Sequence, residues 1–242
     1  DVVKVSIPAA IHVLILIAEK DLGGALIFYI TYIVILYAAT RKEGYILLGA
    51  GALAAGAAAA YKLFYHVRVR VAAWKDPWSD VANKGYQVTQ SLFAIGTGGW
   101  FGMGLCEGTP QKIPVSKTDF IFSAICEEMG VFFGLCIILV EISCFVMFIN
   151  ISLKINSRFY KLTALGLSVE YMFQTFLTIG GVTKFIPSTG VTLPLVSYGG
   201  SSVTSTMILF AIIQGLYVKN SGRGEIGETD GKRQRRSRRN EE

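Results

Sequence analysis

Several carboxylates sit inside or beside long apolar runs of this sequence, where an ionised side chain is expensive and is therefore a candidate for function. Asp119 precedes one such run, Ser123 follows a helical turn later, and the adjacent pair Glu127 and Glu128 lies roughly 12 to 14 Å further along at about 1.5 Å per residue. An unpaired charge in low dielectric is strongly disfavoured, so at least one of that pair must face a polar cavity, meet a cation or carry a proton. Asp21 opens another apolar run. At helix N-termini both aspartates are favoured by the helix dipole, which also makes simple capping a sufficient explanation for either. Glu170, Gln174 and Thr178 recur every fourth residue and form one polar stripe, suited to interhelical hydrogen bonding or to lining a catalytic cavity.

Cations accumulate in the segments between apolar runs: Arg68, Arg70, Lys75, Lys84, Lys112, Lys117 and Lys184. Beside a membrane such residues meet anionic headgroups. Beside carboxylates they can hold a pyrophosphate, for which arginine offers a bidentate fork. His12 and His66 have no recognisable catalytic partner in the sequence. The glycine-rich runs Gly96 to Gly104 and Gly199-Gly200 match neither a P-loop nor a dinucleotide fingerprint. No Cys/His spacing suits zinc, and three of the four cysteines (Cys126, Cys136, Cys144) share one predicted helix, where they cannot easily bond one another.

The elements that must hold these residues are membrane helices. Hydrophobic residues make up 52% of the chain and charged residues 17%, mean hydropathy is +0.49, and the apolar residues fall in blocks near the 20 or so needed to span a bilayer. This composition predicts an all-α, polytopic helical bundle rather than a soluble domain. Spans are expected over Val5–Ala18, which is short, Leu22–Ala39, Tyr45–Phe64, Asp119–Ile149, Leu162–Ile179 and Ser201–Val218. The third is built largely of Ala and Gly, residues that allow close helix approach, and is expected inside the bundle.

The chain thus divides into three helices over 1–64, a large extramembrane loop over 65–118 with an amphipathic interfacial helix at Tyr86–Ile95, and three helices over 119–218 with a Gly/Pro-rich loop at 180–198. A basic tail over 219–242 is expected to be disordered. Arg41 and Lys42, then Lys154, Arg158 and Lys161, then the tail all fall on one side of a six-span chain, which the positive-inside rule assigns to the cytoplasm. The two large loops then face outward. The tail reads as a cytoplasmic anchor, not as a nucleic-acid site.

In chain order, Asp21-Leu22-Gly23, Arg70 to Trp78 (RVAAWKDPW), Gly85-Tyr86-Gln87 with Gln90-Ser91, Gln111-Lys112, Thr118 to Phe122 (TDFIF), Glu127-Glu128-Met129-Gly130 and Pro187 to Ser202 (PSTGVTLPLVSYGGSS) resemble the SEDS family of shape, elongation, division and sporulation proteins, the RodA/FtsW/SpoVE group. Many relatives have His at Lys117 and Pro before the aspartate that matches Asp21. The resemblance implies about ten membrane helices, of which the six here correspond to the last six, so that this chain alone is expected to be inactive.

It also implies an inverting peptidoglycan glycosyltransferase that joins lipid II to a glycan strand on undecaprenyl diphosphate, at the bacterial cytoplasmic membrane, in elongation, division or sporulation. Asp119 would be the catalytic general base. Arg70, Lys112 and Lys184, with Gln90 and Ser197 of the matched motifs, would bind substrate and its diphosphate, while Asp21, Glu127, Glu128 and Glu170 would be polar cavity residues. Mg²⁺ or Mn²⁺ could bridge phosphate and carboxylate, although the sequence shows no complete protein cage for it. The implied partner is a class B penicillin-binding protein, a transpeptidase. Two other readings stand beside this one: a flippase or transporter of the lipid-linked precursor, and a non-catalytic scaffold for the penicillin-binding protein.

Overall fold

The computed structural model describes residues 2–239, with side chains through 220. Eight helices follow in order: α1 (Val2–Ala18), α2 (Leu22–Thr40), α3 (Gly44–Leu63), α4 (Tyr65–Lys75), α5 (Tyr86–Gly98), α6 (Ile121–Lys154), α7 (Arg158–Val182) and α8 (Gly200–Arg239). Two short 3₁₀ turns, Pro77–Asp80 and Pro110–Lys112, lie between them, and there is no strand among the described residues. Helices α2, α3, α6, α7 and the Gly200–Asn220 part of α8 are long and apolar enough to cross a membrane, whereas α1 is shorter. The protein is a polytopic helical membrane protein.

Helix boundaries follow local chemistry. Asp21 caps α2 by accepting a hydrogen bond from the Gly24 amide at 2.8 Å, and left-handed Arg41 (φ 58°) ends it. Helix α7 extends beyond the expected Leu162 to Arg158, because two cations at its start reach free carbonyls at nearby helix ends. The Arg158 guanidinium donates to the Ala39 carbonyl, and Lys161 Nζ to that of Leu153 at 3.2 Å. Cations at helix C-termini are favoured by the dipole, so the basic residues hold one end of the bundle together.

The centre is α6 and α7, flanked by α2, α5 and α8. Phe148, Tyr171 and Phe210 meet edge to face over buried Ala164 and Ile213. Lipid is as apolar as leucine, so such packing acts through dispersion and a few polar bonds of roughly 0.6 kcal/mol each.

The structure corrects four expectations. Helix α3 does not sit inside the bundle: Gly49 packs on Ile33, but most of its small residues are exposed, and several of them form one wall of a groove. The segment over 65–118 holds the expected helix at Tyr86 as α5, which buries Val88, Thr89, Ser91 and Ala94, and adds one that was not expected, α4, after a single extended residue, Phe64. Helix α6 starts at Ile121, not at Asp119, and it is broken at Gly130 (φ 85°, ψ 165°). The backbone of α8 is helical to Arg239 where disorder was expected, although Gly222, Gly224, Gly227 and Gly231 each disfavour helix in that stretch. The side chains of the basic tail cluster lie outside the described residues.

Candidate functional site

At the end of the bundle opposite Arg158 and Lys161, the chain from Pro187 to Tyr198 folds back onto the helices. The polar stripe of α7 holds it down. Gln174 Nε2 donates to the Thr192 carbonyl at 2.9 Å and the Thr178 hydroxyl to the Val191 carbonyl at 3.0 Å, while Leu193 is fully buried. The stripe therefore binds a loop, not a neighbouring helix, and Glu170 below it is half-buried. From the other side α4 grips the same loop: Arg70 Nη1 donates to the Thr189 carbonyl at 2.8 Å and Trp74 Nε1 to the Lys184 carbonyl at 3.2 Å.

Asp119 arrives by a separate route. Its segment turns on Val115, a β-branched residue at φ 52° whose carbonyl accepts from the amides of Thr118 and Phe120. A left-handed valine is costly, and it persists here inside a network that over-determines it. Ser197 then ties this segment to the folded-back loop. Its buried hydroxyl donates to the Thr118 carbonyl at 2.6 Å and accepts from the Leu193 amide at 2.8 Å, and the Tyr198 amide donates to the Lys117 carbonyl. Ser197 was expected to touch substrate; here its proton and one lone pair are engaged internally, in bonds that tie the Asp119 segment to the folded-back loop.

Gly190 is where the two routes meet. It has φ +76°, and a β-carbon built on it would lie 3.1 Å from Arg70 Nη2 and 3.5 Å from Asp119 Oδ2. A half-buried carboxylate and an exposed guanidinium thus border one small space floored by a glycine. Gly23, just after Asp21, packs against Val191 and Thr189 of the same loop, which places Asp21 nearby, although its carboxylate serves as the α2 cap.

Arg70 also closes one end of a groove of about 810 Å³ between α2, α3, α4 and α7. Its walls are apolar along most of their length, among them Leu26, Ala52, Gly56, Phe173 and Phe176, and polar groups gather beside Arg70. There His66 Nε2 and Thr189 Oγ1 are buried without a hydrogen-bond partner. Sequence reasoning set His66 aside because its surroundings come from α2, α3 and α7, which no local motif reveals.

The remaining candidates lie elsewhere. Lys112 is exposed on its 3₁₀ turn, Lys184 is left-handed at φ 59°, and neither lines the groove. Gln90 is half-buried on α5, and its neighbour Ser91 bonds Ser123 at 2.6 Å. Glu127 is buried: one carboxylate oxygen accepts from the Thr109 amide at 3.1 Å, and the other has no partner. Glu128 is half-buried and its carbonyl accepts from the Gly104 amide. In the turn after α4, Asp76 and Asp80 serve local structure; the side-chain bond from Asn83 and the nearby Lys84 amide and charge hold the Asp80 carboxyl below the usual carboxylate range. Sequence reasoning also missed Glu141, buried in the most hydropathic span and bonded to Tyr171 and Thr175. A lone acid in such a run was its available signal.

The described residues contain no group of three or more His, Cys, Asp or Glu able to hold a metal ion. A Mg²⁺ or Mn²⁺ ion here would need ligands beyond these residues, such as water and substrate oxygens.

Comparison with known proteins gives a consistent picture. Residues 1–222 match the family described as cell cycle protein, FtsW/RodA/SpoVE. The chain is 41% identical over 203 residues to the peptidoglycan glycosyltransferase RodA of Mycobacterium tuberculosis, covering 84% of this chain and 43% of that protein. It is 34% identical over 219 residues to a probable peptidoglycan glycosyltransferase FtsW of a Geobacter species, covering 88% and 58% respectively. It therefore spans less than half of the mycobacterial relative's length. A chain in a solved peptidoglycan synthase complex that coordinates polymerization and crosslinking superposes with a TM-score of 0.73 over 89% of this chain and 61% of its own; at 24% identity this likeness is one of fold.

Proposed function

The chain belongs to the FtsW/RodA/SpoVE cell cycle protein family, and from that membership and the geometry above we propose that it carries the catalytic end of a peptidoglycan glycosyltransferase, which extends glycan strands from lipid II at the outer face of the bacterial cytoplasmic membrane. The observation that carries this reading is the join of an apolar groove to Arg70, with Asp119 across Gly190. That shape matches an amphiphile: a polyprenyl tail along the groove, a diphosphate at the guanidinium, and sugar reaching the carboxylate.

The chemistry follows from the two charges. A sugar hydroxyl is a poor nucleophile, and Asp119 would take its proton as the new bond forms to the anomeric carbon, an assistance worth about 10²–10⁴-fold. The bond from that carbon to the diphosphate breaks with its electron pair leaving on the phosphate oxygen, and attack from the opposite side inverts the anomeric centre. Arg70 would meet the developing charge with paired N–H donors, and His66 and Thr189 offer further hydrogen-bonding atoms beside it. A divalent ion, where the reaction uses one, would neutralise charge on the diphosphate, and Asp119 is a carboxylate beside Arg70 that could help hold it. Loss of polymer on adding a chelator, restored by Mg²⁺ or Mn²⁺, tests that role.

A transporter would place its polar site near the bilayer midplane. The buried acid deepest along α6, Glu141, is instead closed in by Tyr171 and Thr175. The fold shared with a chain of a peptidoglycan synthase complex supports a class B penicillin-binding protein as partner. Replacing Asp119 with alanine in the full-length protein separates catalysis from scaffolding. Polymer formation from lipid II is expected to be lost with partner binding retained; normal polymerisation would overturn the proposal.

A further inference from the structure

Between Lys84 and Glu107 the sequence has no ionisable acid or base other than Tyr86 and Cys106, and it ends in the run Trp100, Phe101, Met103, Leu105. These four side chains are turned outward, with Phe101 88% and Leu105 70% exposed. The turn is not loose. The Gly99 and Trp100 carbonyls accept hydrogen bonds from the amides of Val131 and Phe132, at 2.9 and 3.2 Å, and the amides of Met103 and Gly104 donate to the carbonyls of Glu127 and Glu128. Its tip is thereby fixed to α6 at the Gly130 break.

That attachment fixes its height. From Phe132 to the basic end at Lys154, α6 rises roughly 33 Å at 1.5 Å per residue, close to the thickness of about 30 Å of a bilayer's hydrocarbon core. Phe132 and the bonded Trp100 therefore lie at the membrane-water boundary on the Asp119 side, the level at which tryptophan is enriched. The patch is continuous with the exposed Phe132, Leu135 and Leu139 face of α6, which lipid must cover in a membrane-spanning helix. Phe93 on α5 and Trp78 in the preceding 3₁₀ turn, rings 5.5 Å apart, are exposed aromatics of the same 65–118 segment.

We propose that the Trp100–Leu105 turn is an interfacial anchor that inserts into the leaflet on the Asp119 side, with lipid headgroups and the upper acyl chains as its binding partner. Through its backbone bonds to α6 it sets the height of the Asp119 pocket relative to the lipid from which substrate would come.

Replacing Trp74, Trp78 and any tryptophan outside residues 1–242 of the full-length protein with Phe leaves Trp100 as the reporter. In the protein reconstituted into phosphatidylglycerol–phosphatidylethanolamine vesicles, Trp100 emission is expected to be blue-shifted. Quenching by lipid brominated near the glycerol end of the chain should be roughly two-fold stronger than by lipid brominated near the methyl end. Phe101→Cys in a cysteine-free background that keeps Trp74 and Trp78, labelled with a nitroxide, should be more accessible to oxygen than to a water-soluble nickel chelate, and it carries the test if the first variant does not fold. Quenching by aqueous iodide without quenching by brominated lipid would overturn the proposal, and so would shielding from both, which would show a protein surface covering the turn.

Discussion

Asp119 and Arg70 border one space because residue 190 has no side chain. Gly190→Ala would force a β-carbon into a left-handed backbone at about 1–2 kcal/mol and press it against both charges. We expect a loss of polymerase activity far larger than the accompanying fall in melting temperature. Ser197→Ala leaves the Leu193 amide and the Thr118 carbonyl without a buried partner, a cost of roughly 1–3 kcal/mol. It should lower kcat by loosening Asp119, with Ser197→Thr recovering part of the rate; an unchanged kcat in the alanine variant would remove Ser197 from this role. At this scale Asp119 and Arg70 were legible from residue type and motif. His66 and the internal role of Ser197 were not, because both depend on which carbonyls and cavities the fold brings near.

At the scale of elements, α6 depends on its break. Gly130 has a conformation that essentially only glycine adopts, and a β-carbon there would strike the Trp100 carbonyl. Gly130→Ala is expected to destabilise the protein by about 3 kcal/mol or more, read as a fall in thermal stability in detergent. Gln174→Leu removes the bond from α7 to the Thr192 carbonyl, and it should make the 187–198 loop more sensitive to protease while leaving the helices intact. Apolar length located the spans well, since α2 begins at the expected Leu22 and ends one residue beyond the expected Ala39. It failed where the determinants lie in other segments. The Gly130 break needs the 99–104 turn to supply its hydrogen bonds, and α4, rich in charge, gives no apolar run to detect.

For the whole molecule, the short-loop cations Arg41, Lys42, Lys154, Arg158 and Lys161 lie at one end, while Asp119, Arg70, the folded-back loop and the cations of the longer segments lie at the other. Counted over short loops, where charge governs translocation, the positive-inside rule predicts that the site faces outward. In intact cells of a cysteine-free background, Ser79→Cys should react with an impermeant maleimide and Asn156→Cys should not, and the opposite pattern would invert the orientation. The spans were legible because apolar length is a property of the sequence, whereas the exposure of α3 and its place in the groove wall arise from packing. The most direct test of the account is the rate of lipid II polymerisation by purified full-length protein bearing Asp119→Asn, which keeps shape and removes the base. A rate at least about 100-fold below wild type with substrate binding preserved is expected, and a rate equal to wild type would contradict a catalytic carboxylate at this position.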